Sequence, residues 1–319
     1  MIKHLFILSV LCTALFSACE NEIPFFSEPQ QPQLLMNAVL EAGKEQNEVT
    51  LSIMSENKNT LVGNGSVTVF VNGEQKETAE AKIIWNSSNG DSMKLCRLQT
   101  PFHPGDRIRL EATAEDGRYN AWAEVEMPRP IENAIQVDTC YMPLKISSYM
   151  APCIRYRITF ADRPGEKNYY RLVIREDEYY GDPADGYEPY VMEPDIINQE
   201  DIVLTDGHLT TDDDEEFGIL DLTIRNKRNI FTDSRFQDNP YTLNVYTRES
   251  YSNDVLDCTI RILSITESYY RYMRALNCLD SDNYNETLME PVIIPQNVVG
   301  GLGFVGACSA QQVTLRLKE

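Results

Sequence analysis

Between residues 176 and 222 the chain carries 17 Asp or Glu and not one Lys or Arg. Carboxylate oxygen at that density is what calcium uses, since the ion takes about six to eight oxygen ligands and acidic loops supply them. The candidate ligands are Asp182, Asp185 and Glu188, in a loop containing Gly and Pro, and Asp212, Asp213 and Asp214, which open a run ending at Glu216. Tyr179, Tyr180, Tyr187 and Tyr190 are interleaved with the first group. That mixture suits a surface for a basic or aromatic-seeking partner equally well. A solvated loop held open by its own charge repulsion has the same composition. The three readings stand side by side, and calcium is the one cofactor they admit. A second stretch, Asp280-Ser281-Asp282-Asn283-Tyr284-Asn285-Glu286, begins like a calcium loop. It carries Tyr284 where a ligand is needed and lacks the glycine that makes the sharp turn.

Catalytic chemistry has less to work with. His4, His103 and His208 are the only histidines. His4 lies next to Lys3 in a short polar start just before an apolar stretch, while His103 (in Pro101-Phe102-His103-Pro104-Gly105) and His208 (after Asp206-Gly207) both read as turn residues. Neither has a metal-ligand spacing such as H-x-x-x-H. No catalytic residue is assigned and an enzyme is not expected; a hydrolase built on His103 or His208 is the distant alternative. Gly301-Leu302-Gly303-Phe304-Val305-Gly306 fits the dinucleotide fingerprint G-x-G-x-x-G. That fingerprint works only where a strand feeds a helix, with a further strand and an acidic residue about 20 positions on. Only Ala307 to Glu319 follow, so these glycines read as a crossing where backbones approach closely before the last strand.

Cys19 has the most informative surroundings. Lys3 and His4 precede an apolar stretch from Leu5 to Leu15, and Phe16-Ser17-Ala18 stands directly before the cysteine. This is the pattern of a bacterial lipoprotein signal, too short for a bilayer span of roughly 20 apolar residues. Residues 1–18 are expected to be removed and Cys19 acylated, with 19–33 a tether containing Pro24, Pro29 and Pro32. Several acyl chains at about 0.8 kcal/mol per buried methylene make a durable anchor. The membrane would thus be one partner, reached through lipid.

The body is acidic. The net charge is −21, and without Lys3 it is 27 − 49 = −22. Nucleic acid is excluded as a partner, because binding it depends on Lys and Arg neutralising phosphates. With 42% hydrophobic residues over 319 positions, the chain can bury a core, most naturally in two domains. Six cysteines remain after Cys12 and Cys19: Cys96, Cys140, Cys153, Cys258, Cys278 and Cys308. Most are expected to be buried thiols, with one or two bridges permitted by export.

Alternating residues must then position whatever site exists. Val67, Val69 and Val71 alternate with Thr68 and Phe70 before Asn72-Gly73, a hairpin turn signal. Ile108, Leu110, Ala112 and Ala114 share one face, as do Ala121, Ala123 and Val125 after the Asp116-Gly117 turn. With Leu34–Leu40, Glu48–Met54, Ala81–Trp85 and Met93–Gln99 this makes about seven strands in roughly 100 residues, the arithmetic of an antiparallel sandwich. Trp122 lies opposite that apolar face, either in solvent or under the second domain. Pro128-Arg129-Pro130 closes the unit, since paired prolines disfavour helix and central strand. The fold class expected is mainly β: an Ig-like antiparallel β-sandwich over 34–128, then a second β-rich domain over 131–319 with the acidic insertion 176–222. Further strands are expected at Ile154–Phe160, Tyr170–Ile174, Gly218–Ile224, Tyr241–Thr247, Val255–Leu263 and Gln312–Leu317. One amphipathic helix is expected over 266–278, with Tyr269, Tyr272, Met273 and Leu276 on its apolar face and Ser264 and Glu267 forming a capping box. The Tyr269, Tyr270 and Tyr272 cluster could alternatively stack a ligand.

In combination these segments resemble the Bacteroidetes outer-membrane lipoprotein family known as domain of unknown function 4249. The likeness is carried by the lipobox, Tyr119-Asn120-Ala121, Tyr169-Tyr170-Arg171-Leu172, Phe231-Thr232-Asp233 with Tyr241-Thr242-Leu243, and Tyr269-Tyr270-Arg271-Tyr272. It extends to Glu290-Pro291 and to the glycine motif with Asn297, Gly300, Gly301, Gly303 and Gly306. The resemblance implies a binding protein at the outer membrane, in a family often found beside TonB-dependent receptors, with no catalytic residues to carry over. The expected function is a cell-surface ligand-binding or accessory module of such a transporter, taking a peptide, glycan or metal complex. The alternative is an adhesive or structural surface protein using its acidic loops for calcium or a host protein.

Overall fold

The computed structural model describes residues 31–55, 58–86, 91–146, 149–179, 186, 188–206, 224–249, 255–281, 283–285 and 289–318. The fold is mainly β, as expected. Among the described residues the first part holds nine strands: β1 (Gln33–Glu41), β2 (Asn47–Ser55), β3 (Lys58–Leu61), β4 (Gly65–Val71), β5 (Glu74–Glu80), β6 (Lys82–Asn86), β7 (Asp91–Leu98), β8 (Arg107–Ala114) and β9 (Tyr119–Glu126). The second part contains β10 (Gln136–Ile146), β11 (Tyr149–Ala161), β12 (Tyr169–Tyr179), β13 (Tyr190–Met192), β14 (Ile230–Thr232), β15 (Pro240–Arg248) and β16 (Val255–Ile265). Helix α1 (Glu267–Leu279) and β17 (Leu302–Lys318) complete the chain.

The strands form where side chains alternate between water and core. In β4 every second residue from Gly65 to Val71 is buried, and the Asn72-Gly73 turn has both residues at positive φ, 54° and 85°, the primed geometry that matches strand twist. The four-stranded sheet β5-β4-β8-β9 packs Val67, Val69, Ile108, Leu110 and Ala123 against Leu34, Met36, Val49, Leu51 and Leu98 of the facing sheet. The second core lies between the three-stranded sheet β10-β11-β15 and the face of β12 and β16, with Ile154, Tyr156, Ile158, Leu243 and Val245 meeting Tyr170, Leu172, Ile174, Ile260 and Ile262.

One strand serves both sandwiches. Residues 302–308 of β17 run parallel to β1, pairing Leu35 with Leu302 through Glu41 with Cys308, and residues 308–318 run antiparallel to β16. A single path, β13-β12-β16-β17-β1-β2-β7-β6, therefore crosses the whole molecule. On one face of β17, Val305 and Ala307 enter the first core, and Val313, Leu315 and Leu317 pack against the second. Between them Ser309 donates its hydroxyl to the Pro128 carbonyl at 2.5 Å, so the proline-rich passage crosses β17 where one core gives way to the other.

This corrects three expectations. The last strand starts ten residues before Gln312. The first sandwich is antiparallel except at β1–β17. Dividing the chain at 34–128 and 131–319 does not follow the cores, because Val298, Val305 and Ala307 belong to the first. Alternation shows which face of a strand is buried but carries no label for its neighbour.

Burial inside the second sandwich also sets a pH dependence. Glu176 is 2% exposed, faces the core from β12 and accepts a 3.4 Å bond from the Thr247 hydroxyl. Burial, with a smaller push from Glu178, raises its carboxyl above the ordinary 4.5. A raised folded-state pKa means that the native chain holds the proton more tightly than the unfolded one. Its stabilisation is complete below about 4.5 and is lost as pH climbs through the raised value. Glu176→Gln is expected to raise the melting temperature at neutral pH and to flatten its decline from pH 5 to 8, read by thermal unfolding across that range; a lower melting temperature at pH 7 would count against this.

Candidate functional site

Helix α1 starts at Thr266, whose hydroxyl accepts from the Tyr269 N–H at 3.3 Å. The cap is Thr266, not Ser264, because Ser264 is still in β16 and buried there. Glu267 pairs with Arg271 one turn on at 2.6 Å, a favourable i,i+4 arrangement near the positive end of the helix. Tyr269 and Met273 pack with Leu263, Ile265 and Phe304 on the outer face of the shared sheet, and Tyr272 stacks on Phe304 with ring centroids 4.3 Å apart. The three tyrosines therefore form no common platform. Tyr270 packs at the edge of the same cluster, its ring centroid 5.2 Å from that of Tyr169, and lines up with Arg274 and Cys278 at i, i+4 and i+8.

They form one wall of a cleft of about 440 Å³. Its floor is apolar, made of Val203, Leu204, Ile230 and Phe231, and its rim carries Asp206, Thr232, Ser234 and Arg235. The wall opposite the helix is a tight turn built on Asp201. This carboxylate is buried and accepts from the N–H groups of Val203 and Leu204, both at 3.0 Å, and of Asn244 at 2.8 Å. Burial pushes its pKa up although the three N–H groups pull it down. The turn closes with Asp206 at φ 54°, a left-handed conformation that Asp tolerates.

Asn226 holds these pieces together. Its amide nitrogen donates to the carbonyls of Leu204 (2.8 Å) and Ile230 (2.6 Å), and its amide oxygen accepts from the Ile230 N–H (3.1 Å) and the Asn277 side chain (3.0 Å). Asn277, buried on α1, accepts from the Arg228 N–H at 3.0 Å. Asn198 donates to the Asn226 carbonyl at 2.9 Å and to the Asn229 side chain at 2.7 Å. Turn, β14 and helix are thus fastened by side-chain amides, each able to donate and accept at once. The only local trace of these asparagines in the sequence is ordinary polar composition.

The electrostatics of the rim are uneven. Arg235 donates to the Asp206 carbonyl at 2.8 Å. Arg274 is exposed, and among the described residues it has no carboxylate partner. Burial pushes the Tyr270 hydroxyl up while the nearby charge of Arg274 pulls it down, so Tyr270 is a neutral donor at physiological pH. Across the 224–230 segment lies a smaller cleft of about 280 Å³, where Arg228 pairs with Asp280 and Lys227 donates to the Asp280 carbonyl at 2.8 Å. Asp280, the first residue of the second calcium-like stretch, is committed to that ion pair.

Among the residues expected to bind, Tyr179 is half-buried at the end of β12, Glu188 is exposed, and Tyr190 is 56% exposed at the start of β13. Tyr190 stands opposite Glu178 in the ladder at one sheet edge. Tyr180, Asp182, Asp185, Tyr187, Asp212, Asp213 and Asp214 lie outside the described residues, as do Cys19 and His208. Among the described residues no cluster of three or more His, Cys, Asp or Glu side chains is placed to hold a metal. His103 sits in an exposed turn with Nδ1 3.5 Å from Asp106 and lines neither cleft. The six cysteines of the body are free thiols, four of them buried, so no bridge joins them.

The glycine motif is the structural seam. A Cβ on Gly301 would lie 2.4 Å from the Leu34 carbonyl oxygen, and one on Gly303 would lie 2.2 Å from that of Met36. Asn297 locks the approach, donating to the Val305 carbonyl at 2.7 Å and accepting from its N–H at 2.8 Å. Val299 and Trp122 exchange backbone bonds at 2.8 and 2.9 Å, and the Arg109 guanidinium lies 4.0 Å from the Trp122 ring centroid. Trp122 is thus covered by the 297–300 segment and Arg109. Gly303 and Gly306 lie within β17 rather than in a crossing before it.

A family model described as a domain of unknown function (DUF4249) matches residues 20–314. No curated protein is similar enough to this chain to stand as a relative.

Proposed function

We propose that this chain, which belongs to the DUF4249 family of domains of unknown function, is an exported, lipid-anchored binding module of the outer membrane. In this reading it faces the cell exterior, tethered through Cys19, and serves a TonB-dependent transport system. The observation that carries the binding role is the cleft beside α1. An apolar floor, a few polar groups at the rim and a guanidinium that no carboxylate of the described residues pairs with are what a small ligand needs. The Asn226 network holds those groups in place before any ligand arrives, which lowers the ordering cost of binding. The pattern around Cys19 supports the anchor, and the family resemblance supports the transporter. Its ligand in this reading is a peptide, a glycan or a metal complex.

Affinity capture of the intact protein from its native outer membrane in mild detergent, followed by mass spectrometry, tests the transporter link. A TonB-dependent receptor is expected to co-purify and to be lost when the body after Pro32 is deleted. Recovery of the lipoprotein alone would turn the reading towards transient capture. Cys19→Ser is expected to move the protein from the membrane fraction to the soluble fraction, read by fractionation and by the mass of the N-terminal peptide; an unchanged membrane fraction would refute the anchor.

The second reading is an adhesive or structural surface protein that binds calcium or a host protein. It is favoured by the shared strand β17, which makes the two sandwiches one continuous sheet suited to bearing load. Calcium-dependent thermal stabilisation of the full chain would support it.

A further inference from the structure

We infer that the cleft beside α1 holds its ligand by a carboxylate, received by Arg274 with Arg235 beside it; this rests on the binding role proposed above. Arg274 is the exposed cation that helix spacing places next to Tyr270 on the cleft wall, and no carboxylate of the described chain neutralises it. Among the described residues the other exposed guanidinium of the cleft, Arg235, is already engaged by a backbone carbonyl, whereas no ion pair holds Arg274. The guanidinium fork matches a carboxylate in two parallel hydrogen bonds. Arg235, held by the Asp206 carbonyl at 2.8 Å, adds a second positive charge whose direction is already set.

The same surroundings disfavour a dianion. Arg274 and Cys278 lie in the C-terminal half of α1, towards the negative end of the helix dipole, and the Asp206 carboxylate also lines the cleft. A single negative charge is therefore accepted more readily than a phosphate. The rest of the ligand would meet the Thr232 and Ser234 hydroxyls, the neutral Tyr270 hydroxyl and the Phe231 floor, which fit a compact, partly apolar body with hydrogen-bonding groups. A uronic-acid sugar and a peptide C-terminus are the two sources of such a group.

The test uses the full chain in detergent with two probe pairs, trigalacturonate against its methyl ester and a tripeptide with a free against an amidated C-terminus. Calorimetry gives affinity, and protection of the free Cys278 thiol from alkylation reports occupancy of the cleft, with the exposed Cys140 as internal reference. One acid is expected to bind at least about tenfold more tightly than its neutral partner and to protect Cys278. Arg274→Gln is expected to erase that difference and Arg274→Lys to retain part of it; both are exposed-surface changes. The acid that binds identifies the source. Equal binding of acid and neutral probe, an unaffected Arg274→Gln variant, equally strong binding of inorganic phosphate, or failure of both acids would overturn the inference. Neutral probes that still protect Cys278 would overturn the carboxylate while leaving the cleft as a binding site, whereas binding that never protects Cys278 would remove the cleft from the binding reading itself.

Discussion

Gly303→Ala is expected to be among the most damaging single substitutions in this chain, costing about 4 kcal/mol or more against a typical total of about 5–15. Gly303 sits at φ 113° inside β17, and an added Cβ would stand 2.2 Å from the Met36 carbonyl oxygen and 2.9 Å from Asn37 Oδ1. Both are ladder-side groups. Met36 is fully buried in the first core, and Asn37 uses that oxygen to accept from the Phe304 N–H at 2.9 Å. Relief would require β1 and β17 to separate. Because β17 continues into the second sandwich, the damage should spread there, and urea unfolding should shift as one transition rather than two. Gly43→Ala is the matched control: φ is 72° and nothing lies within 4 Å of the added carbon, so only the backbone term of about 1–2 kcal/mol applies. Equal effects of the two substitutions would show that close strand approach is not what the glycine provides.

Asn226→Ala should have the next largest effect, and a local one. It removes two donated and two accepted hydrogen bonds that join the 201–206 turn, β14 and α1. Partners left without a bond in a partly buried site cost about 1–3 kcal/mol each before water relieves some of them, so a net loss of about 3 kcal/mol is expected. Hydrogen exchange followed by mass spectrometry should show faster exchange in 201–206, 226–232 and the second half of α1, with the β4–β8–β9 sheet unchanged. Any ligand of the cleft should weaken in parallel. Uniform acceleration over the whole chain would mean that Asn226 supports global stability rather than the shape of the cleft.

The fold was legible wherever a signal is local. Val67, Val69 and Val71 with Asn72-Gly73 read directly as a strand and its turn, and Tyr269, Tyr272 and Met273 read as one face of a helix. The candidate site was not legible. Its floor comes from Val203, Leu204 and Phe231, its rim from Arg235 and Arg274, and its fastening from Asn198, Asn226, Asn229 and Asn277. These residues come from three separate stretches, 198–204, 226–235 and 274–277, and an asparagine in a loop looks the same whether it faces water or ties three elements together. The acidic stretch is legible because charge density survives in composition, whereas the role of an arginine such as Arg274 is recognised only when its surroundings are known.

By itself the sequence determined the alternating strands, the primed turn at Asn72-Gly73, the amphipathic helix, the acidic surface and the family. Only the tertiary structure decided that the C-terminal strand serves two cores and that a cleft forms beside α1. The reason is physical: periodicity and turn chemistry act between residues a few positions apart and are written in side-chain types. Strand pairing is made by backbone N–H and C=O groups common to nearly every residue, so Leu302 finds Leu35 only when the packed cores leave it no other neighbour.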